Sequence, residues 1–266
     1  MSHTFDVPTV FDVPTVGTVE LTVRDHPGDP DRAYLLLHGG GGLPTMAGFA
    51  GLLAERTGAR VLLPTHPGFG GTPKAAGLSD VGRLAQAYLR LLEELGLTGV
   101  TVVGNSFGGW LAAEIALRAG ARVRAAVIVN GIGIQVDGHP LTDVRGMSVA
   151  ELRGFSFHDP AKAPVPPPGT QGPSPDVQAL VGYTGPAMTD PTLLPRLAGA
   201  TRPVHVLWGA SDRIADHAYG RAFAAAVPGA TFTLLPATGH LPQLETPEAL
   251  LDALLDLDGR PVSVTG

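Results

Sequence analysis

The sequence predicts an α/β fold: a mostly parallel central sheet flanked by helices, with an inserted helical or irregular cap. Three observations carry that prediction. From residue 18 to residue 130, short apolar runs alternate with helix-length amphipathic stretches, and the alternation resumes at residue 201. Between those limits it stops, and residues 160–175 hold seven prolines (160, 164, 166, 167, 168, 173 and 175), too many for a core element. Finally, Val100-Thr101-Val102-Val103 runs through Gly104-Asn105-Ser106-Phe107-Gly108 into an alanine-rich stretch that meets no further breaker before Gly120. Strand, sharp turn and helix follow without a linker. The expected division is a core of residues 1–130 and 201–266, with residues 131–200 as the cap.

In chain order, residues 5–10 (Phe-Asp-Val-Pro-Thr-Val) repeat at once as residues 11–16. A unit this short is a local duplication of an extended segment and not an architectural repeat. Residues 17–23 alternate and read as a strand with one solvated face; Arg24 to Asp31, with Pro27, Gly28 and Pro30, reads as a turn. Ala33 to Leu37 is continuously apolar, as expected of a strand covered on both faces. A helical pattern follows over Phe49–Arg56, then a short strand over Arg60–Leu63 and a glycine-rich loop, His66 to Thr72. Ser79 is the expected cap of a long helix whose Leu84, Tyr88, Leu91, Leu92 and Leu95 keep helical spacing, closed by Gly96. Val123–Val129 is a further buried strand. Inside the expected cap, 148–157 and 175–197 carry weak helical patterns around a stiff, proline-rich linker. Pro203–Trp208 resumes the sheet, a helix runs from about Asp216 to Ala226, Ala230–Leu235 is the last strand, and a helix spans Thr246–Leu257. The tail from Gly259 is expected to fray.

Composition narrows the function. A chain of 266 residues with 44% hydrophobic residues fits one globular domain with an insertion. A formal charge of −6 and no Lys/Arg cluster argue against a nucleic-acid or anionic-membrane surface. The absence of cysteine excludes disulfides, a thiol nucleophile and thiolate metal sites. The N-terminus, with Asp6, Asp12 and prolines, lacks the apolar segment of a signal peptide, and no apolar run approaches the ~18 residues of a membrane span. The expectation is a soluble, cytoplasmic protein that acts on a small molecule, as a monomer or a homo-oligomer.

The chemistry is read from the loops. In Gly104-Asn105-Ser106-Phe107-Gly108 the strand reverses into the helix, and a side chain two positions either side of the apex would clash. The serine at such an apex is held out above the sheet, beside the free N–H groups of a helix start. Without its flanks the pentapeptide would be a turn with an N-cap serine. Four consecutive glycines, Gly39–Gly42, follow the buried strand and His38. Glycine runs are entropically costly, so bare backbone must be needed there. An oxyanion hole is one account; a flexible loop or a phosphate cradle is the other, though no Lys-Ser/Thr follows. His38 reads as a structural histidine that holds the loop. Of nine histidines only His217 and His240 follow Asp212; His217 falls in or beside a helix, whereas His240 sits in a loop after a strand. Asp216 reads as a helix N-cap.

Taken together, the elbow 104–108, the loop 38–42, the Gly209-Ala210-Ser211-Asp212 turn and the Gly239-His240 turn resemble the α/β-hydrolase superfamily over nearly the whole chain, in that family's order Ser, Asp, His. The resemblance implies Ser106 as nucleophile, His240 as base, Asp212 as its orienting carboxylate, and the backbone N–H groups of Gly40 and Phe107 as the oxyanion hole. A serine hydroxyl does need a hydrogen-bonded base whose tautomer a third group fixes. The apex serine separates this chain from haloalkane dehalogenases and epoxide hydrolases, which carry aspartate there. The motifs are also similar to those of carbon–carbon bond hydrolases acting on ring-fission products; Arg145, Arg153 and Arg196 are the cap residues available to a substrate carboxylate.

The expected activity is hydrolysis of an ester, thioester or lactone of a small, largely apolar substrate through an acyl-enzyme, with no metal or organic cofactor. The alternatives are a carbon–carbon bond hydrolase or non-hydrolytic lyase or cyclase on the same scaffold, and a small-molecule receptor with a slow or vestigial triad. Trp110, Phe157, Met188 and Leu241 are the expected pocket residues, with core packing an equal account of each.

Overall fold

The computed structural model describes residues 4–144, 146–165 and 176–258. Eight strands form one sheet: β1 (Phe5–Val13), β2 (Gly17–His26), β3 (Asp29–Leu37), β4 (Ala59–Pro64), β5 (Val100–Asn105), β6 (Val123–Val129), β7 (Val204–Gly209) and β8 (Thr231–Leu235). Their order across the sheet is β1-β2-β4-β3-β5-β6-β7-β8. Pairing is antiparallel for β1/β2 and β2/β4 and parallel from β4 onward. Helices α1 (Pro44–Thr57), α2 (Val81–Glu94) and α3 (Phe107–Arg118) alternate with the first parallel strands; α7 (His217–Ala225), α8 (Pro242–Glu245) and α9 (Pro247–Asp258) follow the last two. The described residues of 131–200 add no strand to the sheet and supply α4 (Val149–Ser156), α5 (Asp176–Thr184), α6 (Leu193–Arg196) and two 3-10 turns.

The central parallel strands are mostly apolar and buried, β3 from Ala33 onward and β4 to β7 nearly throughout, because both faces are covered, whereas the edge strand β8 is half-buried. On one face Met46 and Phe49 of α1 pack with Leu250, Leu251 and Leu254 of α9. On the other, Leu84 of α2, Leu111 of α3 and Phe223 of α7 share a core with Leu180, Tyr183 and Leu193 of the inserted segment. The insertion is therefore anchored in the main core.

Several boundaries differ from the sequence reading for local reasons. The duplicated hexapeptide has two fates: its first copy lies wholly in β1, while the second closes the strand and enters the hairpin turn at Thr15, whose φ is 68°. A six-residue period keeps equivalent side chains on one face, yet Phe5 is 56% exposed and Phe11 only 6%, so the first copy runs past the helix layer. The expected turn over Arg24–Asp31 shrinks to residues 27–28, because β2 continues to His26 and β3 starts at Asp29. Helix α1 begins at Pro44, before the expected Phe49, with proline in the first turn where its missing N–H costs nothing. The cap of α2 is Asp80, not Ser79: its carboxylate accepts the Arg83 N–H at 2.9 Å, and the Ser79 hydroxyl donates to that carboxylate. The last expected helix, Thr246–Leu257, is α9 (Pro247–Asp258), with Thr246 (φ −137°) just ahead of its first proline and separating it from the short α8. Prolines 166, 167, 168, 173 and 175, the tail from Gly259 and Arg145 lie outside the described residues.

Candidate active site

The end of β5 and the start of α3 meet at Ser106, whose φ of 56° and ψ of −115° lie where non-glycine residues rarely go. Such a conformation costs on the order of 1–3 kcal/mol and persists only if its surroundings over-determine it. They do. The Ser106 N–H donates to Val129 O (3.0 Å), and its carbonyl accepts from Gly109 N, Trp110 N and Ile132 N. Two glycines make the turn sterically possible. A Cβ on Gly104 would sit 1.9 Å from Gly108 O, and one on Gly108 would sit 2.0 Å from Leu37 O. Phe107 takes the first helical position, so its N–H has no carbonyl one turn back to bond.

Asp212 occupies the turn after β7 and its side chain is sealed from solvent. Oδ1 accepts the N–H groups of Ile214 (2.8 Å) and Ala215 (3.1 Å); Oδ2 accepts Asn130 Nδ2 (2.6 Å) and lies 2.8 Å from His240 Nδ1. A carboxylate with four such contacts is an acceptor only. It therefore holds the His240 proton on Nδ1 and leaves Nε2 with its lone pair. The His240 loop is fastened from both sides. Its N–H donates to Ser156 O (2.7 Å) at the end of α4, and its carbonyl accepts Asn105 Nδ2 (2.9 Å). Asn105 immediately precedes Ser106, so the elbow and the imidazole loop are tied through one residue; Gln243 Nε2 donates to Asn105 Oδ1 (3.0 Å) and locks that amide.

The glycine loop after β3 lies against the serine: a Cβ on Gly39 would be 3.0 Å from Ser106 Cβ, and one on Gly40 would be 3.0 Å from Leu180 Cδ2. Two buried imidazoles hold this loop. His38 Nε2 accepts the His66 N–H (3.1 Å), so its Nδ1 carries the proton and donates to Gly39 O (2.8 Å). His66 Nε2 donates in turn to His38 O (2.9 Å), and its Nδ1 meets the Tyr88 hydroxyl. Burial pushes the pKa of His38 down to about 4 and that of His66 well below its ordinary value, so both are neutral braces. His38 thus has the structural place expected of it. Asp216 caps α7 by accepting the Tyr219 N–H (2.9 Å), and His217 opens that helix, as the sequence suggested.

The expected pocket residues divide. Leu241 follows His240 and is half-buried, and the Phe157 backbone lies against Gly239, where a Cβ would come within 2.8 Å of Phe157 Cα. Trp110, 3% exposed, packs its ring on Gly133 and lines a cavity of about 540 Å³ with Glu114, Arg118 and Arg196, down α3 from the serine. Met188 packs half-buried against the core with φ 52°. The cap arginines are engaged by protein groups: Arg153 donates to Ala163 O (2.8 Å), and Arg196 to Glu114 and Asp190.

Asn105, Asn130, Gln243, Glu245 and Leu180 escaped the sequence reading. Glu245 accepts three backbone N–H groups, from Gly239 (2.7 Å), His158 (3.1 Å) and Asp159 (2.7 Å). The one available signal was a carboxylate five residues after a histidine, in the first turns of a helix.

The chain matches the alpha/beta hydrolase family over residues 34–253. It is 35% identical over 102 residues to the 2-hydroxymuconate semialdehyde hydrolase of Pseudomonas putida, covering 38% of this chain and 36% of that protein. Across the first curated relatives the match spans about half of their length or less. Among solved structures, a bacterial membrane phospholipase A superposes with a TM-score of 0.77 at 23% identity, covering 96% of this chain and 86% of that one. An esterase from Exiguobacterium antarcticum superposes at 0.73 and 18% identity, covering 94% and 99%. At these identities the structural likeness is one of fold. The family match takes in the strand-elbow-helix unit, the Asp212 turn and the His240 loop, and the chain belongs to the alpha/beta hydrolase family, where its relatives include esterases and carbon–carbon bond hydrolases.

Proposed function

We propose that the protein is a serine hydrolase acting on an ester, thioester or lactone of a small, largely apolar substrate, with residues 131–200 as a cap over the site. The observation that supports this most is the joining of three groups: Ser106 strained outward at the elbow, Asp212 saturated with donors on His240 Nδ1, and Asn105 binding one to the other. Ser106 Oγ attacks the carbonyl carbon while His240 Nε2 takes its proton. The carbonyl oxygen, now an anion, is held by the N–H groups of Gly40 and Phe107, each worth about 3 kcal/mol in such a role. As the tetrahedral intermediate collapses, His240 returns the proton to the leaving oxygen or sulfur. Water, deprotonated by the same imidazole, then releases the acid and restores the serine. The cycle balances without a metal or organic cofactor.

Carbon–carbon bond hydrolysis is the second reading, favoured by the likeness to 2-hydroxymuconate semialdehyde hydrolase. Against it, Arg196 is paired with Glu114 and Asp190 and so is not free for a substrate carboxylate, and Arg153 donates to Ala163 O; Arg145 lies outside the described residues. A p-nitrophenyl ester series on wild type and Ser106→Ala tests the proposal. The expected result is an acyl-enzyme burst that vanishes in the variant. Turnover that survives Ser106→Ala would transfer the chemistry to a lyase-type mechanism, and ligand affinity without turnover of any acyl donor would make the protein a receptor.

A further inference from the structure

Helix α5 presents one face to the site. Asp176, Leu180 and Tyr183 stand at i, i+4 and i+7, a single helical stripe, and each member meets one of the two glycine-rich loops. Asp176 Oδ1 accepts the Gly70 N–H (2.8 Å), while its Oδ2 lies 2.8 Å from the Cβ position of Gly42. Tyr183 donates its hydroxyl to Pro67 O (3.0 Å), and its ring sits 5.8 Å from that of Phe107. Lys74 adds a bond to Gly182 O (3.2 Å) and lies over the Tyr183 ring. The helix is therefore pinned at both ends. Between the pins, Leu180 Cδ2 stands 3.0 Å from the Cβ position of Gly40, the neighbour of Gly39, whose own Cβ position lies 3.0 Å from Ser106 Cβ.

Position decides which half of a substrate would meet this side chain. The leaving group must lie toward His240, which protonates it, and that side is roofed by the end of α4, through Ser156 O on the His240 N–H. The carbonyl oxygen turns to the Gly40 and Phe107 N–H groups, and the acyl chain, the third substituent, leaves on the side away from His240 and passes beyond Gly40, where α5 stands. Resting on the hydrolase reading above, we infer that Leu180 sets the acyl chain length the site accepts, and that the substrates are esters of short-chain acids. Because α5 is held at both ends, the wall does not yield to a longer chain; the length limit belongs to the side chain itself.

The test is a p-nitrophenyl series from acetate through butyrate and hexanoate to octanoate, run on wild type, Leu180→Ala, the milder Leu180→Val, and Leu193→Ala. Leu193 is buried in α6 of the same segment, so its truncation reports loosening of the cap alone. Leu180→Ala removes three carbons, room for about three methylenes, each worth roughly fourfold in kcat/KM when buried. The expected result is a wild-type optimum at acetate or butyrate and a shift to hexanoate in Leu180→Ala. The hexanoate-to-acetate ratio should rise by on the order of 50-fold, with a smaller rise in Leu180→Val and none in Leu193→Ala. An unchanged ratio in Leu180→Ala, or an equal shift in Leu193→Ala, overturns the inference while leaving the hydrolase reading intact. If no ester, thioester or lactone is turned over, the hydrolase reading fails on its own. Labelling of Ser106 by ethyl and octyl fluorophosphonates then still reads the chain preference: loss of discrimination in Leu180→Ala supports the inference, and retained discrimination or no labelling overturns it.

Discussion

Replacing Glu245 with alanine should destabilise the protein well beyond a surface substitution and slow any reaction at His240. The carboxylate is 5% exposed and gathers three backbone donors, one from Gly239 and two from His158 and Asp159 beyond α4. A hydrogen bond to a charged group contributes about 1.5–3 kcal/mol, and a buried donor left alone costs a similar amount. The Gly239 N–H is buried and carries the full loss, about 2 kcal/mol. The other two are partly buried, water can reach them, and about 1 kcal/mol each is a fair share. The total, near 4 kcal/mol, corresponds to a Tm about 10 °C lower for a chain of this size. Glu245→Gln separates the contributions. An amide oxygen placed at the Oε2 position keeps Gly239 and His158 but turns its NH2 toward the Asp159 N–H, so about half of the loss should appear. Since the displaced loop carries His240, kcat on a small ester should fall tenfold or more in the alanine variant with KM little changed. Thermal melts and steady-state kinetics on the three proteins are the assay. A Glu245→Ala protein that melts within about 2 °C of wild type would refute the reasoning, because buried donors would then have found other partners at no cost.

Two more predictions rest on the same site. Asn130 donates to Asp212 Oδ2 and accepts the Gly209 N–H from a backbone φ of 48°, so Asn130→Ala loses both bonds and meets left-handed strain of about 1 kcal/mol, whereas Asn130→Gly loses the bonds without the strain. Both should lower kcat at least tenfold, with the alanine variant melting lower; equal melting temperatures would count against the strain. The stability of the fold should also depend on acid through His38. Its folded pKa, about 4, lies below the ordinary 6.5, so between those values the unfolded chain binds more protons than the folded one. Stability is therefore complete above pH 6.5 and declines as pH falls to 4, by on the order of 3 kcal/mol from this residue. Urea unfolding of wild type and His38→Asn at pH 7.5 and pH 4.5 measures it, and an identical pH dependence in the two proteins would exclude His38 as the source.

What could be read from sequence was what local sterics impose. Gly104 and Gly108 announce the elbow because no other residue fits between two backbone segments that touch, and that constraint is written within five positions. The same holds for continuous apolar strands, whose covering on both faces leaves no polar positions. Asn105, Asn130 and Gln243 were illegible for the opposite reason. Asn105 ends β5, Asn130 follows β6 and Gln243 sits in α8, and the meaning of each lies in a partner far along the chain: 135 residues for Asn105 with the His240 carbonyl, 82 for Asn130 with Asp212. Trp110 shows how helical phase and not sequence proximity decides where a residue beside the elbow points. It falls one turn after Phe107, and helical phase carries it along the stripe of Glu114 and Arg118 toward the inserted segment. Leu180, from a segment with weak periodicity, reaches Gly40 only once α5 is placed.

The insertion bears on rate as much as on access. Ser156 O accepts the N–H of His240 itself, and Glu245 holds Gly239 to His158 and Asp159. On the other side Leu180 rests on Gly40. Under the proposed mechanism these are the base and an oxyanion donor, the two groups whose placement within a fraction of an ångström decides transition-state stabilisation. A roof that merely closed over a finished site could be exchanged or trimmed with changes in KM alone. Here the backbone of α4 completes the hydrogen bonding of the imidazole loop, so under the proposed mechanism changes at 155–159 should register in kcat, while changes at 180 should register as chain-length preference, any shift of Gly40 lowering kcat equally for every chain length. The two effects belong to different helices because acyl and leaving groups depart from the carbonyl in different directions.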